Sequence, residues 1–277
     1  MSVQPEATQK LEKLKEILAG CDSAAVAFSG GVDSTFLLAV AKEAVPGRVV
    51  GITVMAPMTP DREIRESYKL AKDLGVEQIV TGASDIIDID VFSENPPDRC
   101  YHCKMHFFAV ILDAAEEVGL ECVIEASNAD DVDDYRPGLK AIEELGVQSP
   151  LIEAGLTKEE IRSLSEEMGL PTWDKPSMAC LASRIPYGEP VTLEKLEQIE
   201  KGEQILVAEG FRLCRLRHHG TFARVEVPLE DIERLSRENV WSRIAVSLLE
   251  LGFERVEIDP KGYRTGSLNE ALDRERS

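Results

Sequence analysis

The sequence lacks long apolar runs and has few cysteines, and both absences restrict what the protein can be. No apolar run reaches the roughly 18 residues of a membrane span. The first residues, MSVQPEATQKLEKLKEIL, contain no hydrophobic stretch or cleavage-like site, so we expect no signal peptide. Six cysteines in 277 residues are too few for a disulfide-stapled secreted domain. We therefore predict a cytoplasmic protein without a membrane partner, whose cysteines serve metal or redox chemistry.

Basic residues are also scarce. The chain has 31 Lys and Arg against 51 Asp and Glu, which gives a formal net charge of −20. A surface of that sign repels the phosphates of nucleic acids. We interpret most of the carboxylates as a solvated surface, and we expect a small-molecule substrate and no nucleic-acid partner.

The spacing of apolar residues predicts an α/β fold. Strand-like runs cover residues 24–28, 49–54, 77–80 and 122–126, and helix-like stretches cover 34–45, 59–74 and 99–118. Strands that alternate with helices of this length form parallel βαβ units, and strands that are apolar throughout indicate a sheet covered on both faces. We predict a doubly wound, mainly parallel, Rossmann-like sheet with ligands at the carboxyl ends of its strands.

The second half of the chain contains a predicted domain boundary. A helix over residues 157–169 begins with a capping box made by Thr157 and Glu160. The segment 171–190 then has four prolines, which interrupt regular structure. We divide the chain into a first domain (1–172), a cysteine-bearing junction (173–190) and a smaller C-terminal α+β domain (191–277).

A glycine-containing loop, SGGVDST (29–35), follows the first strand and opens a helix. Backbone N–H groups at a helix N-terminus bind phosphate, and the two glycines let the backbone approach it closely. Ser29, Ser34 and Thr35 add hydroxyl donors, and Asp33 is a candidate ligand of Mg²⁺. The alternative is a glycine-rich turn with a serine cap.

The usual kinase motif GxxxxGK[ST] is absent, which disfavours transfer of a γ-phosphate. The loop instead resembles the SGGxDS pyrophosphatase loop (PP-loop) of ATP enzymes that release AMP, such as NAD synthetase, GMP synthetase, asparagine synthetase and tRNA-thiolating enzymes. This resemblance implies the adenine nucleotide alpha hydrolase-like fold and cleavage of ATP to AMP and pyrophosphate.

Three cysteines are candidate metal ligands. Cys100 and Cys103 lie just inside a predicted helix, where a spacing of three puts both on one face. Cys180 lies in the irregular segment KPSMACLASRIPYGE. Three thiolates suit either zinc with a further ligand such as His102 or an iron–sulfur cluster with one open iron. We expect Cys122 and Cys214, which lie in apolar strands, to be packed core thiols, and Cys21 carries no signal.

Two polar runs complete the candidate site. The loop SNADDVDDYRPG (127–138) crowds four aspartates with Asn128 and Arg136 after a strand. It is either a loop that closes over ATP and magnesium or a solvated acidic loop. In RLRHHG (215–220), Arg215 and Arg217 alternate along a strand, so both point from one face. They either bind a phosphate or form surface ion pairs with nearby acids.

Together, SGGVDST, SNADDVDDYRPG, KPSMACLASRIPYGE and RLRHHGTFARVEV resemble the LarE family of ATP-dependent sulfur transferases over nearly the whole chain. The resemblance implies that ATP adenylates a carboxylate of pyridinium-3,5-biscarboxylic acid mononucleotide and that sulfur displaces AMP to give a thiocarboxylate. Two rounds give the bisthiocarboxylate used in the nickel-pincer nucleotide cofactor, for maturation of lactate racemase. The family assembles into hexamers, so a homo-oligomer is expected.

The family has two kinds of sulfur donor. In one, a lone cysteine at the position of Cys180 gives up its own sulfur and becomes dehydroalanine. In the other, a CxxC pair joins that cysteine in holding a [4Fe-4S] cluster whose open iron carries an extra sulfide. Because this chain has Cys100, Cys103 and Cys180, the resemblance favours the cluster, with zinc as the alternative and an external sulfide donor as a further partner.

The resemblance also assigns roles to individual residues. The residues expected to bind ATP are Ser29, Gly30, Gly31, Val32, Asp33, Ser34, Thr53, Ser127 and Arg136. Those expected to bind the substrate are Ser183, Arg184, Glu203, Arg215 and Arg217. Cys180 and Asp33 are the expected catalytic residues.

Other enzyme classes share parts of this pattern. A tRNA-thiolating enzyme would share the loop and the cluster, but the charge of −20 opposes tRNA binding. An amide-forming synthetase would share the loop and leave the CxxC pair and Cys180 unexplained. A nucleotide sensor with a structural zinc is a third alternative.

Overall fold

The computed structural model describes residues 5–132, 137–176, 179–264 and 268. The chain divides into two compact units, Met1–Ile86 with Asp98–Met178, and Ile87–Pro97 with Ala179–Ser277. Residues 87–97 thus group with the second unit, although the sequence analysis placed them in the first domain. Their attachment has a polar cause, because the buried Asn95 amide donates to the carbonyls of Pro186, at 2.7 Å, and Glu189, at 3.0 Å.

The regular elements follow the predicted alternation. The helices are α1 (Pro5–Ala19), α2 (Val32–Ala44), α3 (Asp61–Leu74), α4 (Asp90–Ser93), α5 (Arg99–Glu117), α6 (Pro137–Glu144), α7 (Pro150–Ala154), α8 (Lys158–Glu167), α9 (Leu193–Ala208), α10 (Leu229–Leu235) and α11 (Glu238–Glu250). The strands are β1 (Ala24–Ala27), β2 (Val49–Met55), β3 (Glu77–Gly82), β4 (Cys122–Ile124), β5 (Arg215–His219), β6 (Phe222–Glu226) and β7 (Arg255–Ile258).

The sheet of the first unit has four strands in the order β3-β2-β1-β4, and every pairing is parallel. Ala24 of β1 pairs with Val49 on one side and Cys122 on the other. The chain moves outward from β1 through β2 to β3 and then returns to add β4 at the opposite side of β1. The prediction of a doubly wound parallel sheet is confirmed, and the direction of winding reverses between β1 and β4. In such folds ligands bind at this switch point.

Helices bury apolar residues against both faces of this sheet. On one face, Leu14 of α1, Phe36 of α2 and Ile161 of α8 belong to one core. On the other, Phe108 of α5 and Ile142 of α6 belong to a second core. This double cover explains why β1 reads AAVA, with no polar residue facing either side.

The predicted capping box at α8 is confirmed. The Thr157 hydroxyl accepts from the Glu160 amide at 3.3 Å, and the Glu160 carboxylate accepts from the Thr157 amide at 2.9 Å. The strand predicted over 122–126 is shorter in the structure and ends at Ile124. After Ile124, the Glu125 backbone N–H donates to the Gln148 carbonyl, on the side of β4 away from β1.

Cys122 is not the packed thiol that the sequence predicted, because the structure joins it to Cys21 by a disulfide. Cys21 follows α1, and Cys122 begins β4 beside Ala24, so the sheet register places the two Cα atoms 6.1 Å apart. That separation lies within the usual range for a disulfide. The two residues are 101 positions apart in sequence, which left no local signal. The prediction for Cys214 is confirmed, because its side chain is buried.

The second unit contains a three-stranded sheet in the order β5-β6-β7. β5 and β6 are antiparallel, with Arg215 opposite Glu226 and Arg217 opposite Arg224, whereas β7 joins β6 in parallel. Apolar residues of α9, α11 and the strands, such as Leu206, form its core. A small C-terminal α+β arrangement was expected, and the sheet and helices of this unit agree with it.

Candidate functional site

The loop after β1 has the geometry of an anion-binding turn. Gly30 has a φ of +72°, a conformation that side-chain-bearing residues rarely adopt, and a Cβ there would lie 3.3 Å from the Ser67 Cα. Gly31 precedes α2 and has no side chain to cap the helix N-terminus. The backbone N–H groups of the first turn therefore point to the space where an anion would bind.

Hydroxyl groups gather at the same loop. The Ser29 and Ser34 hydroxyl oxygens are 3.0 Å apart, and the Ser29 hydroxyl accepts from the Gly31 amide at 3.3 Å. Ser29 is exposed, whereas Val32 and Thr35 are buried. Ser34 is buried as well, and the buried Thr35 hydroxyl has no hydrogen-bond partner among the described residues, so Ser29 carries the exposed hydroxyl of this turn.

Asp33 lies between the two loops of the switch point. The Asn128 amide nitrogen, after β4, is 3.5 Å from Asp33 Oδ1. Lys158, the first residue of α8, forms an ion pair with Asp33 and donates its backbone N–H to Asp130 at 2.9 Å. Lys158 was not among the predicted site residues, although the capping box at Thr157 predicted that it begins a helix. A cation and a carboxylate thus lie together beside the predicted phosphate site.

The acidic loop after β4 is partly ordered by its own side chains. Asn128 caps a short 3-10 helix, Ala129–Asp131. The Asp131 carboxylate in turn accepts a hydrogen bond from the Asn128 backbone N–H at 3.0 Å. Ser127 is buried and is held by Glu125, which the sequence analysis also missed. The description of this loop as merely solvated does not hold for Asp131, which is buried. Arg136 lies outside the described residues.

Thr53 and Lys175 hold the backbone at the phosphate loop through hydrogen bonds to its carbonyl groups. The buried Thr53 hydroxyl donates to the Phe28 carbonyl at 2.6 Å. Lys175 donates to the Gly30 carbonyl at 3.1 Å and forms ion pairs of 2.7 Å with Glu63 and Glu66. Thr53 stabilises the end of β1, and Lys175 fixes the glycine turn itself. Lys175 was not among the predicted site residues, because nothing in its local sequence connects it to residue 30.

The CxxC pair lies at the start of α5, as predicted. Cys100 is exposed and Cys103 is half-buried, one helical turn apart. His102 is 3.5 Å from Asp98. Within the described parts of the chain, no group of three His, Cys, Asp or Glu side chains is arranged to hold a metal ion. Cys100 and Cys103 belong to the first unit, and Cys180 belongs to the second.

The backbone at Cys180 is fixed by the residues that follow it. Its carbonyl accepts from the Ser183 amide at 3.0 Å and from the Ser183 hydroxyl at 2.8 Å. The Arg184 guanidinium donates to the same carbonyl at 3.0 Å and to the Ala179 carbonyl at 2.7 Å. The sequence CLASR therefore forms a short turn, Leu181–Arg184, that fixes the backbone carbonyl of the half-buried Cys180.

Charged residues predicted to bind the substrate surround this turn within the second unit. Arg184 forms a buried ion pair with Glu203 at 2.8 Å. Arg217 donates to the Ser183 carbonyl at 2.8 Å and forms an ion pair with Glu226 at 2.9 Å. The structure thus brings Ser183, Arg184, Glu203 and Arg217 together, with the Arg184–Glu203 pair buried and Arg217 half-buried.

Arg215 lies deeper than Arg217. Its side chain is buried, donates to the Cys214 carbonyl at 2.8 Å and stacks against the Tyr263 ring at 5.2 Å. Burial, reinforced by the positive charge of Arg184, lowers the pKa of Arg215 below its ordinary value. An anion bound nearby would relieve both effects. The neighbouring His218 is also buried, and burial lowers its pKa to about 4, which keeps it neutral at physiological pH.

Comparison with known proteins identifies relatives over most of the chain. The family model for NAD synthase matches residues 8–99. The chain is 36% identical over 250 residues to the pyridinium-3,5-bisthiocarboxylic acid mononucleotide synthase of Lactiplantibacillus plantarum, covering 89% of each chain. It is 35% identical over 263 residues to an uncharacterised protein of Synechocystis sp., covering 95% of this chain and 98% of the other. A glutamine-hydrolysing GMP synthase of Aeropyrum pernix is 28% identical over 67% of this chain and 39% of its own length.

No helix in the described residues is long and apolar enough to cross a membrane.

Proposed function

The chain belongs to the LarE family of pyridinium-3,5-bisthiocarboxylic acid mononucleotide synthases, and on that premise we propose that it is an ATP-dependent sulfur transferase acting in the cytoplasm. It adenylates the carboxylates of pyridinium-3,5-biscarboxylic acid mononucleotide and converts them to thiocarboxylates for a nickel-pincer nucleotide cofactor. The observation that carries the proposal is the switch point, where the loop of Ser29, Asp33 and Ser34 meets Asn128 and Lys158.

In the activation step, the loop binds the part of ATP that leaves as pyrophosphate. Backbone N–H groups at the start of α2, with the hydroxyls of Ser29 and Ser34, bind the β- and γ-phosphates of ATP. A substrate carboxylate oxygen attacks the α-phosphorus, the bond from that phosphorus to the bridging oxygen breaks, and pyrophosphate leaves with the electron pair. Lys158 stabilises the negative charge that develops on pyrophosphate.

Asp33 is the proposed ligand for magnesium. Mg²⁺ takes oxygen ligands and bridges phosphate oxygens in nucleotide enzymes. In the structure the Asp33 carboxylate is paired with Lys158. When Mg²⁺ and ATP occupy the site, Asp33 would hold the cation and Lys158 would pair with phosphate, so both charges stay compensated.

The arginines beside Cys180 are proposed to bind the phosphate of the substrate nucleotide. Arg215 and Arg217 project from the same face of β5. Arg184, Arg215 and Arg217 bring three positive charges close to one another in the second unit. Burial and the charge of Arg184 lower the pKa of Arg215, and an anionic group bound there would oppose both effects.

Cys100, Cys103 and Cys180 are the proposed ligands of a [4Fe-4S] cluster. Three thiolates and no fourth cysteine in the CxxC helix or the Cys180 turn fit a cluster with one open iron. Bound there, the cluster would supply the sulfide that replaces AMP, with an external donor restoring it. The fixed turn at Cys180 would hold its thiolate in place. Zinc would take the same thiolates.

Turnover with defined substrates tests the proposal. The full chain, purified anaerobically, is incubated with MgATP, sulfide and pyridinium-3,5-biscarboxylic acid mononucleotide. We expect substrate-dependent release of AMP and pyrophosphate, with replacement of carboxylate oxygen by sulfur detected by mass spectrometry. Deamido-NAD, XMP or unmodified tRNA in place of the substrate would release AMP if the chain were an amide synthetase or a tRNA-thiolating enzyme instead.

Metal analysis of the same preparation tests the cluster. We expect about four irons per chain, lost in Cys100→Ala, Cys103→Ala and Cys180→Ala and retained in Cys214→Ala, which alters a buried thiol in the core of the second unit. Stoichiometric zinc without iron would contradict the cluster. Conversion of Cys180 to dehydroalanine during turnover would indicate the sacrificial route. Light scattering of the purified protein tests the expected homo-oligomer, a hexamer by family resemblance.

A further inference from the structure

A buried carboxylate and a lysine connect the helix that carries the CxxC pair to the loop beside the phosphate site. Lys104, next to Cys103 on α5, has its ammonium 3.8 Å from Glu125 Oε2, directly after β4. We propose that Lys104 and Glu125 are positioning residues through which bound nucleotide orders the first two turns of α5, and with them the Cys103 thiol. The inference rests on the ATP site proposed above and deepens it.

Glu125 is the fixed centre of this connection. It accepts from the Ser127 amide at 3.0 Å, from the Ser127 hydroxyl at 2.8 Å and from the Ser149 hydroxyl at 2.5 Å. Its side chain is only 5% exposed. Ser127 and Asn128 follow it immediately, and Asn128 contacts Asp33. The Glu125 carboxylate therefore sets the start of the loop that borders the phosphate site.

Lys104 reaches this carboxylate through a gap that Gly138 leaves open. A Cβ on Gly138, in α6, would lie 3.0 Å from Lys104 Cδ and 3.2 Å from its Cγ. The ammonium also lies 5.5 Å from the centre of the Phe108 ring. The lysine stem is thus confined between two helices, and its charged end is directed at Glu125.

The pair is not needed to satisfy Glu125 itself. Three hydrogen bonds from the two serines already engage both carboxylate oxygens. At 3.8 Å, Lys104 adds charge compensation rather than a short hydrogen bond. The Lys104–Glu125 ion pair links α5 to the loop after β4. Any movement of Glu125 and Ser127 changes the electrostatic potential at the Lys104 ammonium. Two sites joined in this way influence each other reciprocally.

Alkylation of Cys103 measures the connection directly. The full chain is freed of iron by chelation and kept reduced, and the rate at which iodoacetamide modifies Cys103 is followed by peptide mass spectrometry, with and without Mg²⁺ and α,β-methylene-ATP. In the wild-type chain we expect the nucleotide to slow alkylation about fivefold or more. Hydrogen exchange of the amides of residues 99–106 provides a second measurement and should slow in parallel.

Two variants separate the connection from simple stability. Lys104→Met removes the charge, and Gly138→Ala keeps it while shifting the lysine stem by a few tenths of an ångström. Alanine is also the better helix former, so Gly138→Ala should remain folded. We expect both variants to bind the nucleotide, by calorimetry, and to lose its effect on Cys103. Lys69→Met, which removes an exposed pair with Asp73 on α3, should respond like the wild type.

The outcomes distinguish the two levels of the proposal. A nucleotide that fails to bind the wild-type chain overturns the proposed function and this inference with it. Nucleotide that binds without changing the Cys103 rate overturns the inference alone. A full nucleotide effect retained in folded Lys104→Met also overturns it, whereas loss of the effect in both variants supports it.

Discussion

Arg184 and Glu203 form a buried bidentate ion pair, with Arg184 Nε 2.8 Å from Glu203 Oε1 and Nη2 3.0 Å from Oε2. The Arg184 side chain is fully buried, so neither water nor salt screens the interaction. The same guanidinium holds the Cys180 carbonyl. The position of the proposed cysteine ligand therefore depends on a charge pair in the interior of the second unit.

Glu203→Gln should destabilise the protein by about 3–5 kcal/mol, because it leaves the Arg184 charge buried and uncompensated. Urea unfolding followed by circular dichroism measures the loss. The matched control is Glu209→Gln, which breaks another bidentate pair, with Arg243, whose side chain is 56% exposed. Its free energy of unfolding should fall far less, because water and salt screen an exposed ion pair. Equal losses in the two variants would contradict the prediction.

Lys158→Met should weaken binding of MgATP by about tenfold or more, because a hydrogen bond to a charged group contributes about 1.5–3 kcal/mol. Calorimetric titration with a non-hydrolysable analogue measures the affinity. Lys10→Met, which removes a 2.7 Å ion pair with Glu160 on the same helix α8, should leave nucleotide affinity unchanged. If the Lys10 variant lost affinity as Lys158→Met does, the effect would belong to the packing of α8 and not to phosphate binding.

Stability should fall as the pH drops below about 6.5, because His218 is buried in its neutral form. Burial, and to a smaller extent Lys195, lowers its folded pKa to about 4, while Glu189 opposes the shift. Between these two pKa values the unfolded chain binds more protons, so the free energy of unfolding rises with pH across this window and is fully present above it. The contribution is at most about 3 kcal/mol.

Urea unfolding at pH 7 and pH 4.5 tests this dependence. His218→Gln removes the titrating ring and keeps a group that can hydrogen-bond to Gln198, which lies 3.0 Å from His218 Nε2. The wild type should lose more stability than the variant between these pH values. An identical loss in both chains would assign the pH dependence to other groups.

Reduction should lower the thermal stability of the protein. The disulfide between Cys21 and Cys122 spans 101 residues, and closing a loop of that length in the unfolded chain is worth about 4–5 kcal/mol in the chain-entropy model. Thermal unfolding with and without a phosphine reductant measures the difference. The double variant Cys21→Ala, Cys122→Ala should be insensitive to the reductant. Mass spectrometry of the alkylated, unreduced chain should find both thiols protected.

The fold was predictable because its signals are local and repeated. Apolar strands alternate with helices, SGGVDS opens a helix, and Thr157 with Glu160 marks the start of another. The structure has each of these features where the local sequence predicted it. Helix and strand ends differ from the prediction by a few residues, as at β4, which ends at Ile124 and not at residue 126.

The contacts that the sequence did not predict join residues far apart in the chain. Lys175 reaches Gly30, Lys158 reaches Asp33 and Cys21 reaches Cys122. Each depends on which strands are neighbours, and no spacing rule encodes that. The arginines of RLRHHG were predicted as a pair, but their depth was not, since burial follows from the packing of α9 and β6 around them.

The strand order also determines when the nucleotide edge can form during synthesis. β4 pairs with β1 although β2, β3 and α5 lie between them in the chain. A nascent chain that has emerged only as far as α5 can pair its first three strands but has no partner for the free side of β1. Long-range pairing of this kind is slow to form. The loop of Ser29 and Asp33 therefore cannot make its contacts with Asn128 and Lys158 until those residues have left the ribosome.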